Sequence, residues 1–372
     1  MTSYLFSPLK LREVTLDNRI VVSPMCQYSA RDGSATDWHL MHLGNLSVSG
    51  AGLVMVEATA VEARGRITYG DLGLYNQDNE EALARVLKFC REYGHTRLGL
   101  QLAHAGRKAS DHLPWKGYDR PLALEEGAWQ TVGPAAVSYD APWPPPQPLD
   151  RAGMAAIKEA FVEATKRAIR LNFDVLELHS AHGYLLHEFL SPLSNLRQDE
   201  YGGSLENRLR FPLEVFAAMR AVWPDNRPLG VRISATDYVP GGWDLPDSLV
   251  YAGALKERGC DFLDVSGGGL APHQRLKVGP GYQVPYATRI RRETGMATIA
   301  VGMIVWPRQA EEIIAAGQAD MVALARSMLY NPRWVWHAAE ELGGQAAYPP
   351  QYLRAQPSRW PQAFPKRSGI AE

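Results

Sequence analysis

The sequence predicts a (β/α)8 barrel, an α/β fold, on two observations. Eight short runs are rich in branched and aliphatic residues, and helix-length amphipathic segments lie between them. In order, the runs occupy residues 19–23, 53–57, 98–103, 175–179, 229–234, 262–266, 298–302 and 321–325. Amphipathic stretches fall at 80–93, 152–171, 205–223, 248–258, 286–294 and 308–316. The βα rhythm repeats without a fixed sequence period. At 372 residues the chain has the length of two ordinary domains or one large barrel, and this pattern favours a single barrel domain over residues 1–372.

Two segments interrupt the rhythm. After the third run, residues 107–149 are rich in Pro and Trp, including Trp143-Pro144-Pro145-Pro146, and are too long for an ordinary connection. They are expected to cap the barrel mouth. From Gly343 onward the chain is again Pro-rich and polar, which predicts a tail that docks on a neighbour or is disordered.

Composition narrows the partners. The formal net charge is −1 and there is no long basic or acidic block, so nucleic acid and anionic membranes are not expected partners, and small molecules are. Three cysteines, Cys26, Cys90 and Cys260, are too few and too scattered for a disulfide framework or an iron–sulfur cluster, and a reducing cytoplasm is expected. The N-terminus lacks a basic segment followed by an apolar one, and no uninterrupted span of membrane length occurs, so a soluble, unprocessed protein is expected.

The chemistry concentrates where strands end. His179-Ser180-Ala181-His182-Gly183-Tyr184 follows the apolar run Asp174-Val175-Leu176-Glu177-Leu178. Residues three apart point to opposite faces of a strand, so the imidazoles converge only if the backbone turns after Ser180, and Gly183 allows such a turn. Converging imidazole N–H groups can hold a carbonyl or phenolate oxygen, and a nearby Tyr hydroxyl can deliver a proton. A His-x-x-His metal site is the weaker reading, because that spacing ordinarily sits on a helix and no clear third ligand follows. No metal is expected.

Strands covered on both faces should read as continuous apolar runs, yet Gln101, Glu177, His179, Arg232 and Asp264 interrupt them. Period two places these groups on the barrel's inner face, where an unpaired charge costs several kcal/mol. They are expected to form an internal network, for example Glu177 with Arg232, or to meet a polar ligand. Strands seven and eight lead into Val301-Gly302-Met303 and Leu324-Ala325-Arg326, where such barrels bind phosphate through loop N–H groups and a helix N-terminus. Arg326 can add a bidentate clamp. No Gly-x-Gly-x-x-Gly follows the first strand, so a Rossmann site is not indicated.

Five motifs in order resemble the Old Yellow Enzyme family, and more narrowly its thermophilic-like class of xenobiotic reductases. They are Asn18-Arg19-Ile20-Val21-Val22-Ser23-Pro24-Met25-Cys26-Gln27-Tyr28, Glu57-Ala58-Thr59-Ala60, Gln101-Leu102-Ala103-His104-Ala105-Gly106-Arg107-Lys108, the His179 to Tyr184 motif, and Asp199-Glu200-Tyr201-Gly202-Gly203-Ser204-Leu205-Glu206-Asn207-Arg208. The resemblance covers nearly the whole chain and implies a non-covalent FMN across the barrel mouth, with NADPH or NADH as co-substrate. By it, Pro24, Met25, Cys26 and Ala58 contact the flavin, Gln101 binds its pyrimidine edge, and Arg232 sits near N1. Gly302, Met303, Ala325 and Arg326 then bind phosphate, although the family usually has Gly where this chain has Ala325. His179 and His182 hold the oxygen of an activating carbonyl or nitro group, Tyr28 lines the pocket, and Tyr184 donates the proton. Arg354, in Gln351-Tyr352-Leu353-Arg354, resembles a finger that enters a partner subunit's site, which implies a homodimer or homotetramer.

The implied activity is an ene-reductase acting on activated alkenes by a ping-pong hydride transfer. A dienoyl-CoA reductase type of barrel would need an iron–sulfur cluster and an added flavin domain, for which this chain has neither cysteines nor length. A non-catalytic flavin sensor would need no proton donor in the position of Tyr184.

Overall fold

A computed structural model describes residues 3–117 and 120–362. A short antiparallel hairpin, β1 (Leu9–Leu11) and β2 (Val14–Leu16), precedes the first barrel strand, β3 (Ile20–Val22). In chain order follow α1 (Asp37–Ser47), β4 (Leu53–Ala60), α2 (Gln77–Tyr93) and β5 (Arg97–Ala103). The insertion carries a small pair, β6 (Val132–Gly133) and β7 (Gln147–Pro148), before α3 (Arg151–Arg170) and β8 (Val175–Ser180). After these come α4 (Leu185–Leu190), α5 (Leu205–Val222), β9 (Leu229–Ser234), α6 (Leu245–Glu257), β10 (Phe262–Ser266) and α7 (Val284–Thr294). The chain continues through β11 (Ala297–Ala300), α8 (Pro307–Ala315), β12 (Met321–Leu324), α9 (Arg326–Tyr330) and α10 (Trp334–Leu342).

Strands β3, β4, β5, β8, β9, β10, β11 and β12 close into an all-parallel barrel in that order. All eight predicted runs become barrel strands. The seventh ends earlier than expected, at Ala300, so Gly302 and Met303 lie in the following loop. Helices begin where the sequence supplies caps: Asn76, Asp150, Ser204 and Asp244 each accept a backbone N–H from the first turn that follows.

Period two sorts the core into two clusters. Leu100, Leu102, Leu176, Leu178, Val231, Ile233, Leu263 and Val265 face outward into the layer shared with the helices. Val21, Leu53, Met55, Val175, Phe262, Ile299 and Met321 face inward and pack with Leu11 and Leu16 of the hairpin, which plugs the amino-terminal end. Gly230 leaves room for Phe262 in this layer, since a Cβ there would lie 2.3 Å from its ring. With that end filled by apolar side chains, the polar inward positions gather at the carboxyl end. No helix among the described residues is long and apolar enough to cross a membrane.

Over its described part the tail packs on its own chain: Tyr348 stacks on Trp336 at 4.1 Å, and Arg333 lies over both Trp336 and Tyr352. Aromatic and cation–π contacts supply here the burial that its polar composition lacks.

Candidate active site

Strand β8 delivers His179 at its end, and the chain then turns as predicted. His182 adopts φ +59° and Gly183 φ +74°, and a Cβ on Gly183 would lie 2.3 Å from the Gly269 carbonyl. Four contacts hold this turn. The His182 amide donates to Ser234 Oγ at 2.9 Å, Lys108 Nζ donates to the His182 and Gly269 carbonyls at 3.0 Å each, and the Gly183 amide donates to His187 Nδ1 at 2.9 Å. His187 Nε2 lies 2.9 Å from Asp237, fully buried beneath the turn.

The two imidazoles meet as the motif implied. His182 Nδ1 and His179 Nε2 are 3.2 Å apart, and the Tyr184 ring stands edge-on to His179 with centroids 5.0 Å apart. Burial first, and then the Arg232 guanidinium, hold both imidazoles well below their ordinary pKa, so each is neutral at pH 7. Lys108 Nζ lies 5.2 Å from the centre of the Tyr184 ring and 4.7 Å from that of Tyr139 in the insertion. The insertion therefore borders the mouth, and Arg107 fixes it there by donating to the carbonyls of Val137, Ser138 and Leu270.

Below the imidazoles lies the polar layer, and its pairing differs from the expected Glu177–Arg232 contact. Strand register sets Gln101 opposite Glu177 and Arg232 opposite both His179 and Asp264. Gln101 Nε2 accordingly donates to Glu177 Oε1 at 2.7 Å, while Arg232 approaches Asp264 at 3.3 Å. Burial pushes the Glu177 carboxyl up to about 8, helped by Asp264 and opposed by Arg232. Among the described residues, Arg232 Nε, Glu177 Oε2 and Asp264 Oδ1 are buried without a hydrogen-bond partner. Such a layer is built to meet a further polar group.

Around the rim, Pro24, Met25, Cys26 and Tyr28 are half-buried in the loop after β3, with Tyr28 at φ +50° and edge-on to Trp115 at 6.2 Å. Ala58 is buried beside them, and its amide hydrogen-bonds the Cys26 sulfur. Burial, reinforced by Asp71 and Glu57, pushes the Cys26 thiol well up, so it is a thiol and not a thiolate. In the loop after β11, on the same side of the rim, Gly302 takes φ +119° and Met303 φ +50°, where Gly302 is needed because a Cβ would press Gln283 and Tyr282 at 3.1 Å. Ala325 is the N-cap of α9 at φ −105° and ψ −87°, outside the left-handed region that favours glycine. Arg326 opens α9 and lies close enough to Tyr282 to act on its ionisation. Arg354 stands apart from these groups, exposed in a 3-10 segment, Pro350–Ala355.

Sequence reasoning named His179, His182 and Tyr184 but assigned nothing to Lys108, Ser234, Ser266 or the His187–Asp237 pair. Ser234 and Ser266 close predicted strands five and six on inward positions, which was the available signal. Lys108 belonged to a quoted motif without a role.

Fold and site together define a (β/α)8 barrel with two neutral imidazoles and a phenol gathered at its mouth, the face on which enzymes of this fold carry their chemistry. The model of the NADH:flavin oxidoreductase / NADH oxidase family matches residues 4–345. An NADPH dehydrogenase of Geobacillus sp. (strain WCH70) is 45% identical over 356 residues, covering 95% of this chain and 99% of the relative. The NADPH dehydrogenase of Bacillus subtilis (strain 168) is 41% identical over the same length and coverage. Among solved structures, morphinone reductase superposes with TM-score 0.77 at 26% identity, over 94% of this chain and 93% of that one. A 2-naphthoyl-CoA reductase complex gives TM-score 0.82 at 22% identity over 91% of this chain and 52% of that longer chain, a likeness that shows the fold alone. The chain belongs to the NADH:flavin oxidoreductase / NADH oxidase family, the Old Yellow Enzyme family, and is a flavin-dependent oxidoreductase. Its residues fit FMN, because the buried Arg232 Nε and Glu177 Oε2 have no hydrogen-bond partner among the described residues and the Gly302 turn runs on beside α9, where Ser327 Oγ donates to the Ile304 carbonyl at 3.2 Å.

Proposed function

We propose that this protein is an ene-reductase that uses NADPH or NADH to reduce the C=C bond of alkenes activated by a carbonyl or nitro group. The observation that carries the reading is the meeting of His179, His182 and Tyr184 beside Arg232 at the barrel mouth. The relatives' activity as NADPH dehydrogenases supports the reductant. Bound FMN would supply hydride exchange between nicotinamide and alkene. In this reading Pro24, Met25, Cys26, Ala58, Gln101 and Arg232 hold its ring, and Gly302, Met303, Ala325 and Arg326 its phosphate. Arg232 acts as a fixed cation against negative charge that develops near N1.

His179 and His182 bind the activating oxygen through N–H groups, which their neutral state leaves available as hydrogen bonds and not as acids. Tyr184 delivers a proton to the α-carbon. Tyr28 lines the pocket, and nicotinamide and alkene occupy the same imidazole-lined space in turn, in ping-pong order. The barrel takes up the whole chain as one domain in a cytoplasmic homodimer or homotetramer, with Arg354 reaching the neighbouring subunit. An absorption spectrum, followed by anaerobic NADPH and then 2-cyclohexenone, tests the reading. Bleaching by the first and recovery with the second are expected. A protein that releases no FMN on acid precipitation, or that bleaches without recovery, would refute it.

A further inference from the structure

Resting on the reading above, the hydrogen bonds around His182 carry a consequence for how a substrate oxygen is received. The Ala181 amide donates to His179 Nδ1 at 3.2 Å, so the single proton of the neutral His179 ring is on Nε2. That N–H points at His182 Nδ1, 3.2 Å away. His182 Nδ1 is therefore an acceptor, and its proton sits on Nε2, which lies 2.8 Å from Ser266 Oγ. In the free site both imidazole protons are thus committed within the chain.

An oxygen entering between the rings needs two donors, His179 Nε2–H and His182 Nδ1–H. Turning the His182 ring over would remove Nε2 from Ser266 and Nδ1 from the oxygen. Its backbone is fixed as well, with the amide on Ser234 Oγ at 2.9 Å and the carbonyl on Lys108 Nζ at 3.0 Å. We infer that Ser266 is a positioning residue that lets His182 exchange one neutral tautomer for the other on ligand binding. Its hydroxyl accepts from Nε2–H in the free site and donates to Nε2 once the proton sits on Nδ1 and Nδ1–H donates a hydrogen bond to the ligand. The balance is closed: Nε2 loses a proton, Nδ1 gains one, and the serine O–H turns without ionising. The hydroxyl suits this task because a serine is both donor and acceptor, and Ser266 is only 5% exposed, which limits water as a substitute.

Anionic charge on the ligand oxygen polarises the chain oxygen–imidazole–hydroxyl, so the Ser266 bond is stronger in the bound state than in the free one. Removing it should weaken phenolate binding by about fivefold to tenfold, the difference between a charge-assisted bond and a neutral one. The test uses the FMN-containing protein with 15N-labelled histidine, and 4-hydroxybenzaldehyde as the phenolic probe. His182 signals are assigned by their loss in His182→Asn. Without probe, Nε2 should carry the proton; with probe, Nδ1 should carry it and Nε2 should become pyridine-type. Ser266→Ala should lose affinity for the probe as above, and Ser266→Thr, which keeps the hydroxyl, should restore it to within about twofold. A His182 that keeps its Nε2 proton with probe bound, that becomes doubly protonated, or a Ser266→Ala that binds as tightly as the native protein, overturns the inference alone. A native protein without FMN, or without a flavin spectral change on adding the probe, overturns the functional reading and this inference with it.

Discussion

Tyr184 and Cys26 are side chains with one polar atom each, and the structure separates what each can do. Tyr184 lies against His179 and beside Lys108, in the pocket that also contains Ala58 and Arg66. A phenol there is needed only when the alkene takes up a proton, so Tyr184→Phe should slow the alkene half-reaction by roughly a hundredfold or more. Flavin reduction by NADPH should change much less, and stopped-flow measurement of the two half-reactions separates them. Slowing confined to the NADPH step would remove Tyr184 from the donor role and leave Tyr28 as the candidate. Cys26 is a different case. Its thiol is held un-ionised by burial and by two carboxyl neighbours, Asp71 and Glu57, so it offers a weak hydrogen bond rather than a charge. If that bond is worth about 1 kcal/mol, Cys26→Ala should shift the two-electron flavin potential by about 20 mV without disturbing the fold. An unchanged potential would return Cys26 to packing alone.

The turn between β8 and α4 is the element on which the site depends. Gly183→Ala would place a methyl group against the Gly269 carbonyl in a left-handed conformation, which costs roughly 1–2 kcal/mol before the clash is counted. Thermal unfolding should show at least that loss, and phenol binding should fall because His182 moves with the turn. The segment after β4 carries a second element-scale prediction. Burial pushes Asp71 up to about 8 from an ordinary 3.8, so in the folded state it holds a proton that the unfolded chain releases. Stability then falls as pH rises between those two values, at about 1.4 kcal/mol per pH unit for this group. Asp71→Asn keeps an acceptor for the Thr68 amide without titrating, so its stability relative to the native protein should grow from pH 5 to pH 8; a pH-independent difference would contradict this. Elements were legible where periodicity was strong, as in β8 and β9. The hairpin β1–β2 was missed because three-residue strands are too short to show a period, and α1 because it buries His39 and Gly44 beside Leu43 and Leu46, which blurs its apolar stripe. Period two fixed which face Glu177 and Arg232 occupy, but only the register between strands decided that their partners are Gln101 and Asp264.

At the scale of the molecule, the barrel and the placement of its chemistry at the strands' carboxyl ends could be read from the chain, because both follow from local patterns repeated eight times. The contacts that hold the site rigid could not, since Lys108, Ser234 and Ser266 act across elements far apart in sequence. The tail poses the remaining question of this scale. Trp336, Tyr348 and Arg333 anchor it on its own chain, which holds the segment Pro350–Ala355 in place while Arg354 stays exposed. A long cation held outward on an anchored segment has its conformational cost partly met before any neighbour arrives, which suits it to enter a partner's site. The test is subunit mixing. If Arg354 acts in trans, a dimer of one Arg354→Ala subunit and one His179→Ala subunit contains one site with both residues intact. Random exchange of equal amounts should then restore about a quarter of the native sites, where each parent has almost none. If the arginine acts within its own chain, every site in the mixed dimer lacks one residue or the other, and activity stays at the level of the parents even when mass spectrometry shows the mixed dimers to have formed.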